Sequence, residues 1–246
     1  MFIDIHCHLE LLKDANKVVK DAKKKNVKII LTNGVDRETN RKSLEFSNKF
    51  PEVKACLGIY PIDALKISDK EIEEEIKFIE KDKNKIIAIG EVGIDFKEDS
   101  TQHKRQEEIF EKFIKLSMKI NKPIIVHSRK AESKCIEILE RLEAKKVLMH
   151  CFFGEIKLVD RIVKNNWYLS IPTCVVYNEQ MKEVVRRVDI DKLLCETDSP
   201  YMHPKREWPN EPANVVESYK KISEIKGISL KEVEKIIEKN YKRLFL

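Results

Sequence analysis

The feature that most constrains this chain is an alternation of eight short runs rich in β-branched and other apolar residues with longer stretches whose apolar residues recur at helical spacing. The runs are Phe2 to His8, Val27 to Gly34, Val53 to Tyr60, Ile86 to Gly93, Pro123 to Ser128, Lys146 to Cys151, Trp167 to Thr173 and Lys192 to Asp198. They read as strands, and the patterns between them as amphipathic helices. Between Gln102 and Asn121, Ile109, Phe113, Leu116 and Ile120 recur at i, i+4, i+7 and i+11, an apolar stripe along one helix. Leu230 to Leu246 reads as a last helix packed on the outside. Eight strands alternating with helices in 246 residues fit a single (β/α)8 TIM barrel, an α/β fold in which each crossover helix covers parallel strands. An open doubly wound sheet is the alternative. No repeat, linker or low-complexity segment interrupts the pattern, so residues 1–246 are expected to form one domain.

Composition excludes several other classes. Charged residues are 37% of the chain against a typical ~25%, hydrophobic residues are 42%, and there are only 6 Gly and 8 Pro, which rules out collagen-like and disordered chains. Apolar runs such as Ile86 to Ile89 fall far short of the ~20 residues needed to span a bilayer. The start, Met1-Phe2-Ile3-Asp4-Ile5-His6, has acids and histidines where a signal peptide has a basic and then an apolar region, so a cytoplasmic location is expected. The cysteines (Cys7, Cys56, Cys135, Cys151, Cys174, Cys195) are nowhere closer than 16 residues, which excludes a CxxC motif and favours buried free thiols. The net charge of +6 suits an anionic partner such as nucleic acid. The basic residues are nonetheless spread along the chain, and stretches such as Glu71 to Lys77 read as solvated helix faces. The surplus of Lys and Glu hints at a heat-loving source.

Of the six histidines, His6, His8, His127 and His150 fall at the carboxyl ends of strands one, five and six. Asp4, His6 and His8 share parity, so the two-residue period points all three into the barrel, where a His-x-His pair can chelate one metal. Glu91 and Asp198 add carboxylates at two further strand ends. Burying either without a partner would be costly, so a cation is the natural companion, although a salt bridge to Lys or Arg would also serve. Closure sets strand eight beside strand one, and strands five and six flank the strand of Glu91. His6, His8, Glu91 and Asp198 are therefore expected to hold one divalent ion, with Glu91 bridging to a second held by His127 and His150. Imidazole with carboxylate suits Zn or Mn, and Mg where a substrate phosphate completes the shell.

Seven short motifs then fall in register: Asp4-Ile5-His6-Cys7-His8-Leu9, Gly58-Ile59-Tyr60-Pro61, Gly90-Glu91-Val92-Gly93-Ile94-Asp95, Ile125-Val126-His127-Ser128-Arg129, Met149-His150-Cys151-Phe152-Phe153-Gly154, Glu196-Thr197-Asp198-Ser199-Pro200-Tyr201 and Asn210-Glu211-Pro212-Ala213-Asn214-Val215. In this set the chain resembles the TatD-type metal-dependent deoxyribonucleases, within the amidohydrolase-like barrels. The resemblance implies a (β/α)8 fold, a two-metal site on those six ligands, and hydrolysis of DNA phosphodiester bonds, often at ends from the 3′ side, with Mg or Mn. The chain departs from the family at Tyr60, where His is usual, and in Ser170-Ile171-Pro172-Thr173-Cys174. Both departures bear on substrate preference, since Tyr60 is expected to face the substrate.

Paired ions can lower the pKa of a shared water, polarise the phosphoryl oxygen and stabilise the leaving alkoxide. Asp198 is the candidate for orienting or deprotonating that water, with Glu91 beside it. Arg129 is a candidate phosphate clamp. The segment Tyr201 to Pro212 carries His203, Lys205, Arg206 and Trp208, a mixture able to hold a backbone phosphate and stack a base. His203 lies too far beyond the strand end to join the metal set, and His103 opens a helix on the surface. The expected partner is DNA, as single strands or ends, with neither membrane nor obligatory protein partner. A hydrolase of small amides, esters or aminoacyl-tRNA is the alternative, although many such barrels bridge their metals with a Lys on strand four, where this chain has Glu91. A binding barrel without activity would be expected to have lost ligands.

Overall fold

The computed structural model describes residues 1–246. Its strands are β1 (Phe2–Cys7), β2 (Val27–Asn33), β3 (Val53–Leu57), β4 (Ile86–Gly93), β5 (Ile124–His127), β6 (Val147–Met149), β7 (Tyr168–Pro172) and β8 (Leu193–Glu196), each inside one of the eight runs. They pair in parallel in the order β1 to β8. A doubly wound sheet would reverse its order at a switch point, and none occurs. The sheet closes where the chain beyond β8 meets the end of β1: the His8 N–H donates to Ser199 O at 2.8 Å, and the Asp198 N–H to His6 O at 2.9 Å. The fold is a (β/α)8 TIM barrel. The strands that flank β4 are β3 and β5, not β5 and β6, and β6 lies one strand further round.

Ten helices cover the strands: α1 (Ala15–Lys24), α2 (Arg37–Lys49), α3 (Pro61–Leu65), α4 (Asp69–Lys81), α5 (His103–Lys119), α6 (Glu132–Arg141), α7 (Ile156–Lys164), α8 (Glu179–Arg187), α9 (Val216–Lys226) and α10 (Leu230–Phe245). Local chemistry starts several of them. Ser68 before α4 and Ser229 before α10 accept from the backbone of Glu71 and Glu232, whose carboxylates return the bond, satisfying amide groups that a helix start leaves unpaired. The stripe on α5 buries Ile109, Phe113 and Leu116, and α10 lays Val233, Ile237, Tyr241 and Leu244 against the barrel. These join one continuous apolar core. No helix is long and apolar enough to cross a membrane. All six cysteines are free thiols, five of them buried and Cys151 half-buried.

Glycine is required where β4 meets β5. Gly93 has φ +151, and a Cβ there would lie 1.9 Å from His127 O, so only glycine lets the strands carrying Glu91 and His127 approach. The close approach is to a neighbouring strand.

Asp4 ties β1 to the residues beyond β8. Its Oδ1 accepts from the Thr197 N–H at 2.8 Å and its Oδ2 from the Thr197 hydroxyl at 2.6 Å. Burial, outweighing these bonds, pushes the Asp4 carboxyl well above its ordinary range. Asp4→Ala strands the Thr197 amide and is expected to cost about 1–3 kcal/mol in denaturant unfolding. Asp4→Asn keeps one acceptor for that amide and can donate to the hydroxyl, so it should cost less than half as much. Equal losses for both variants would show that the closure does not depend on these bonds.

Candidate metal centre

All six expected ligands lie at the carboxyl-end mouth of the barrel, the end that carries the active site in this architecture. His6 belongs to β1 and His8 follows it, Glu91 lies in β4, His127 ends β5, His150 follows β6, and Asp198 lies two residues beyond β8. His6, His8, Glu91, His150 and Asp198 are buried and His127 is half-buried.

They form two groups around Glu91. In the first, His6 Nε2 is 3.3 Å from His8 Nε2, 3.4 Å from Glu91 Oε2 and 3.6 Å from Asp198 Oδ1. His8 Nε2 lies 3.3 Å from the same Glu91 oxygen and 3.7 Å from the same Asp198 oxygen. Bonds of about 2.0–2.2 Å to one ion place neighbouring donor atoms at such separations, roughly 3.0–3.6 Å apart. In the second group, the other Glu91 oxygen, Oε1, is 2.8 Å from His127 Nδ1 and 3.6 Å from His150 Nε2. Each group therefore has the donor types and spacing to hold a divalent ion, and Glu91 presents one carboxylate oxygen to each.

The atoms behind the ligands set their orientation. His8 Nδ1 donates to Asn33 O at 2.9 Å, leaving Nε2 with its lone pair toward the group. His150 Nδ1 lies 3.0 Å from Glu196 Oε2, and His127 Nε2 2.9 Å from Asp95 Oδ2. Carbonyl and carboxylate oxygens only accept, so each contact fixes the ring nitrogen that bears hydrogen. His6 differs: its Nδ1 is buried without a partner, and its ring stacks on His150 at 3.8 Å. His6, His150 and Glu196 also cluster. Both Glu196 oxygens are already used, Oε2 by His150 and Oε1 by the Cys151 N–H at 2.9 Å, so Glu196 is a partner of a ligand.

The electrostatics favour added positive charge. Burial opposes charging His150, yet Glu196 and Glu91 beside it raise it to about 9. Burial likewise opposes ionising Glu91, but His150, His127, His6 and His8 around it hold it well below its ordinary range. Asp95 resists desolvation through His127, Tyr60 and the Glu98 N–H and falls to about 2.

The remaining expected residues are placed differently. Tyr60 opens α3 with its ring 4.9 Å from that of His127, and its hydroxyl donates to Asp95 Oδ2 at 2.8 Å. Arg129 is exposed and its near carboxylate is Glu98, at 3.5 Å, rather than the ligand groups. Lys205 and Arg206 are exposed in the loop after β8, where the Arg206 guanidinium lies over the Tyr177 ring at 4.4 Å. His203 caps that loop by accepting from the Lys205 N–H, and His103 stacks on Phe96, so both stay outside the ligand groups. Sequence reasoning gave no role to Asp95, Glu196 or Asn33. Parity within the run Lys192 to Asp198 offered a signal for Glu196, which lies two residues before Asp198 in the sequence.

Comparison with known proteins accords with this geometry. The family described as TatD related DNase matches residues 3–246. An uncharacterized metal-dependent hydrolase of Methanocaldococcus jannaschii is 37% identical, over 99% of this chain and 96% of that protein. Deoxyribonuclease TATDN3 of Homo sapiens is 31% identical, over 99% of this chain and 94% of its own. The crystal structure of a TatD homolog from Escherichia coli superposes with a TM-score of 0.93 at 25% identity, covering 99% of this chain and 97% of the other. With the family pattern matched from the first strand to the last helix, the chain belongs to the TatD related DNase family.

Proposed function

We propose that this chain is a metal-dependent hydrolase of DNA phosphodiester bonds, with residues 1–246 working as one unit. The observation that carries the reading is the placement of Glu91, one carboxylate oxygen facing each group of donors. The Homo sapiens relative named a deoxyribonuclease supports the choice of substrate. In this reading His6, His8, Asp198 and Glu91 Oε2 hold one ion, and His127, His150 and Glu91 Oε1 hold the other.

Divalent ions held there would supply Lewis acidity at the phosphoryl oxygen and would make water easier to ionise near neutral pH. Asp198 is the carboxylate that meets water, its side chain being 11% exposed against 4% for Glu91. Burial opposes its ionisation, but the neighbouring histidines, His8 foremost, keep it below its ordinary range, so it is ionised and able to orient water or take its proton. Arg129, Lys205 and Arg206 stand at the rim as partners for backbone phosphates. Tyr60 acts beside them through the wall that it shares with Asp95 and His127.

Metal-stripped protein, titrated with Mg, Mn or Zn on 3′-labelled single-stranded DNA, tests the reading. Metal-dependent shortening of the strand is expected. No cleavage with any ion, despite ion binding, would overturn it in favour of a small-molecule or aminoacyl-tRNA hydrolase. The partner of His150 gives a separate expectation: Glu196→Gln should weaken metal affinity about 10- to 100-fold in chelator competition, with the circular dichroism spectrum unchanged. An affinity within twofold of the parent would remove Glu196 from the account.

A further inference from the structure

Five large apolar side chains are exposed: Leu11, Met118, Tyr201, Trp208 and Leu246. Met118 lies on α5 and Leu246 is the last residue, but Tyr201 and Trp208 share the loop that leaves β8 just beyond Asp198. Their rings lie 5.5 Å apart, and the Tyr201 ring is 6.5 Å from that of His8. Trp208 is therefore two ring contacts from the ligand groups, and it is 68% exposed, so its ring is open to a ligand.

The loop that presents this pair is firmly pinned. Asn210, fully buried, donates through Nδ2 to Thr173 Oγ1 at 3.0 Å and to Thr197 O at 2.9 Å, and its N–H donates to Pro200 O at 2.9 Å. The Thr173 hydroxyl donates to Met202 O at 2.6 Å, and His203 Nδ1 accepts from the Lys205 and Glu207 amides. A ligand that stacks here meets a formed surface and does not have to order the loop. The same loop carries Lys205 and Arg206, so an anionic backbone is matched in charge beside a flat apolar face. Stacking face, flanking cations and adjacent phosphate chemistry together describe one kind of ligand.

We propose that Trp208, backed by Tyr201, is a stacking platform for an unpaired nucleobase of the DNA whose phosphate lies at the ligand groups. The inference rests on the deoxyribonuclease reading and adds a base subsite to it. A base inside a closed duplex has its faces covered by its neighbours and cannot use the platform.

The chain contains two tryptophans, and the other, Trp167, is 1% exposed with its Nε1 donating to Ala144 O at 2.9 Å. Solvent-exposed emission therefore reports Trp208, and Trp167 serves as an internal check of folding. The test titrates metal-loaded protein with a phosphorothioate thymidine oligonucleotide, which resists cleavage, and with a hairpin duplex whose loop is a non-nucleotide linker, so that it carries no unpaired base. The single strand should quench the exposed emission and the hairpin should not. Trp208→Ala should weaken the single-strand Kd about 5- to 150-fold, the range for losing one stacked base, and Trp208→Phe should recover most of it. A Kd for Trp208→Ala within twofold of the parent, or equal quenching by hairpin and single strand, overturns the platform and leaves the nuclease reading standing. Failure of the parent protein to bind any oligonucleotide overturns both.

Discussion

Replacing Asp198 is expected to slow DNA hydrolysis about 10²- to 10⁴-fold with the barrel still folded, the range for removing a positioned acid or base. Two roles meet in this side chain, since its Oδ1 lies 3.6 Å from His6 Nε2 and 3.7 Å from His8 Nε2 while part of it reaches solvent. The choice of variant matters. Asp198 has φ +53, a conformation that Asn tolerates better than Ala, and its N–H and C=O hold the closure to His6 and the turn to Tyr201. Asp198→Asn therefore keeps the backbone and the size of the side chain while removing its charge. The loss should fall on kcat, and the unfolding midpoint should stay within a few degrees of the parent. A rate within tenfold of the parent would assign activation of water to another group.

Glu91→Gln should do more damage to metal binding than any other single substitution. Its two oxygens face different donor groups, so one change weakens both, whereas loss of Asp198 touches only the group around His6 and His8. The account expects two ions per chain in the parent, about one in Asp198→Asn and fewer than one in Glu91→Gln, measured as metal content after gel filtration. Activity of Glu91→Gln should fall by more than about 100-fold, beyond the loss expected for a group one contact further from the metal. Full metal content in Glu91→Gln would mean that the two groups do not share this carboxylate.

Much of this is legible in the sequence, for a physical reason. Strands of a parallel barrel are largely buried on both faces, so Ile124–His127 and Ile86–Gly93 appear as near-continuous apolar runs without helical periodicity. Several runs read from sequence overshoot the hydrogen-bonded strands at their carboxyl ends. Cys151 against Met149 and Asp198 against Glu196 are examples, because there the chain peels from the sheet to form the mouth. The overshoot contains His150 and Asp198, so the misplaced boundary and the ligands have one cause. The partners of the ligands were less legible. Asp95 reaches His127 and Tyr60, and Glu196 reaches His150, across 32, 35 and 46 residues, which only the relative shift of strands brings together. Arg129 could be placed at a strand end, but its turn toward Glu98 depends on loop geometry that spacing does not encode.

The central claim is that two ions sit either side of Glu91, and anomalous diffraction from crystals grown with Mn tests it most directly. The account predicts two peaks, one bonded to His6, His8, Asp198 and Glu91 Oε2, the other to His127, His150 and Glu91 Oε1. A single peak at saturating Mn, or two peaks that do not share Glu91, would contradict it.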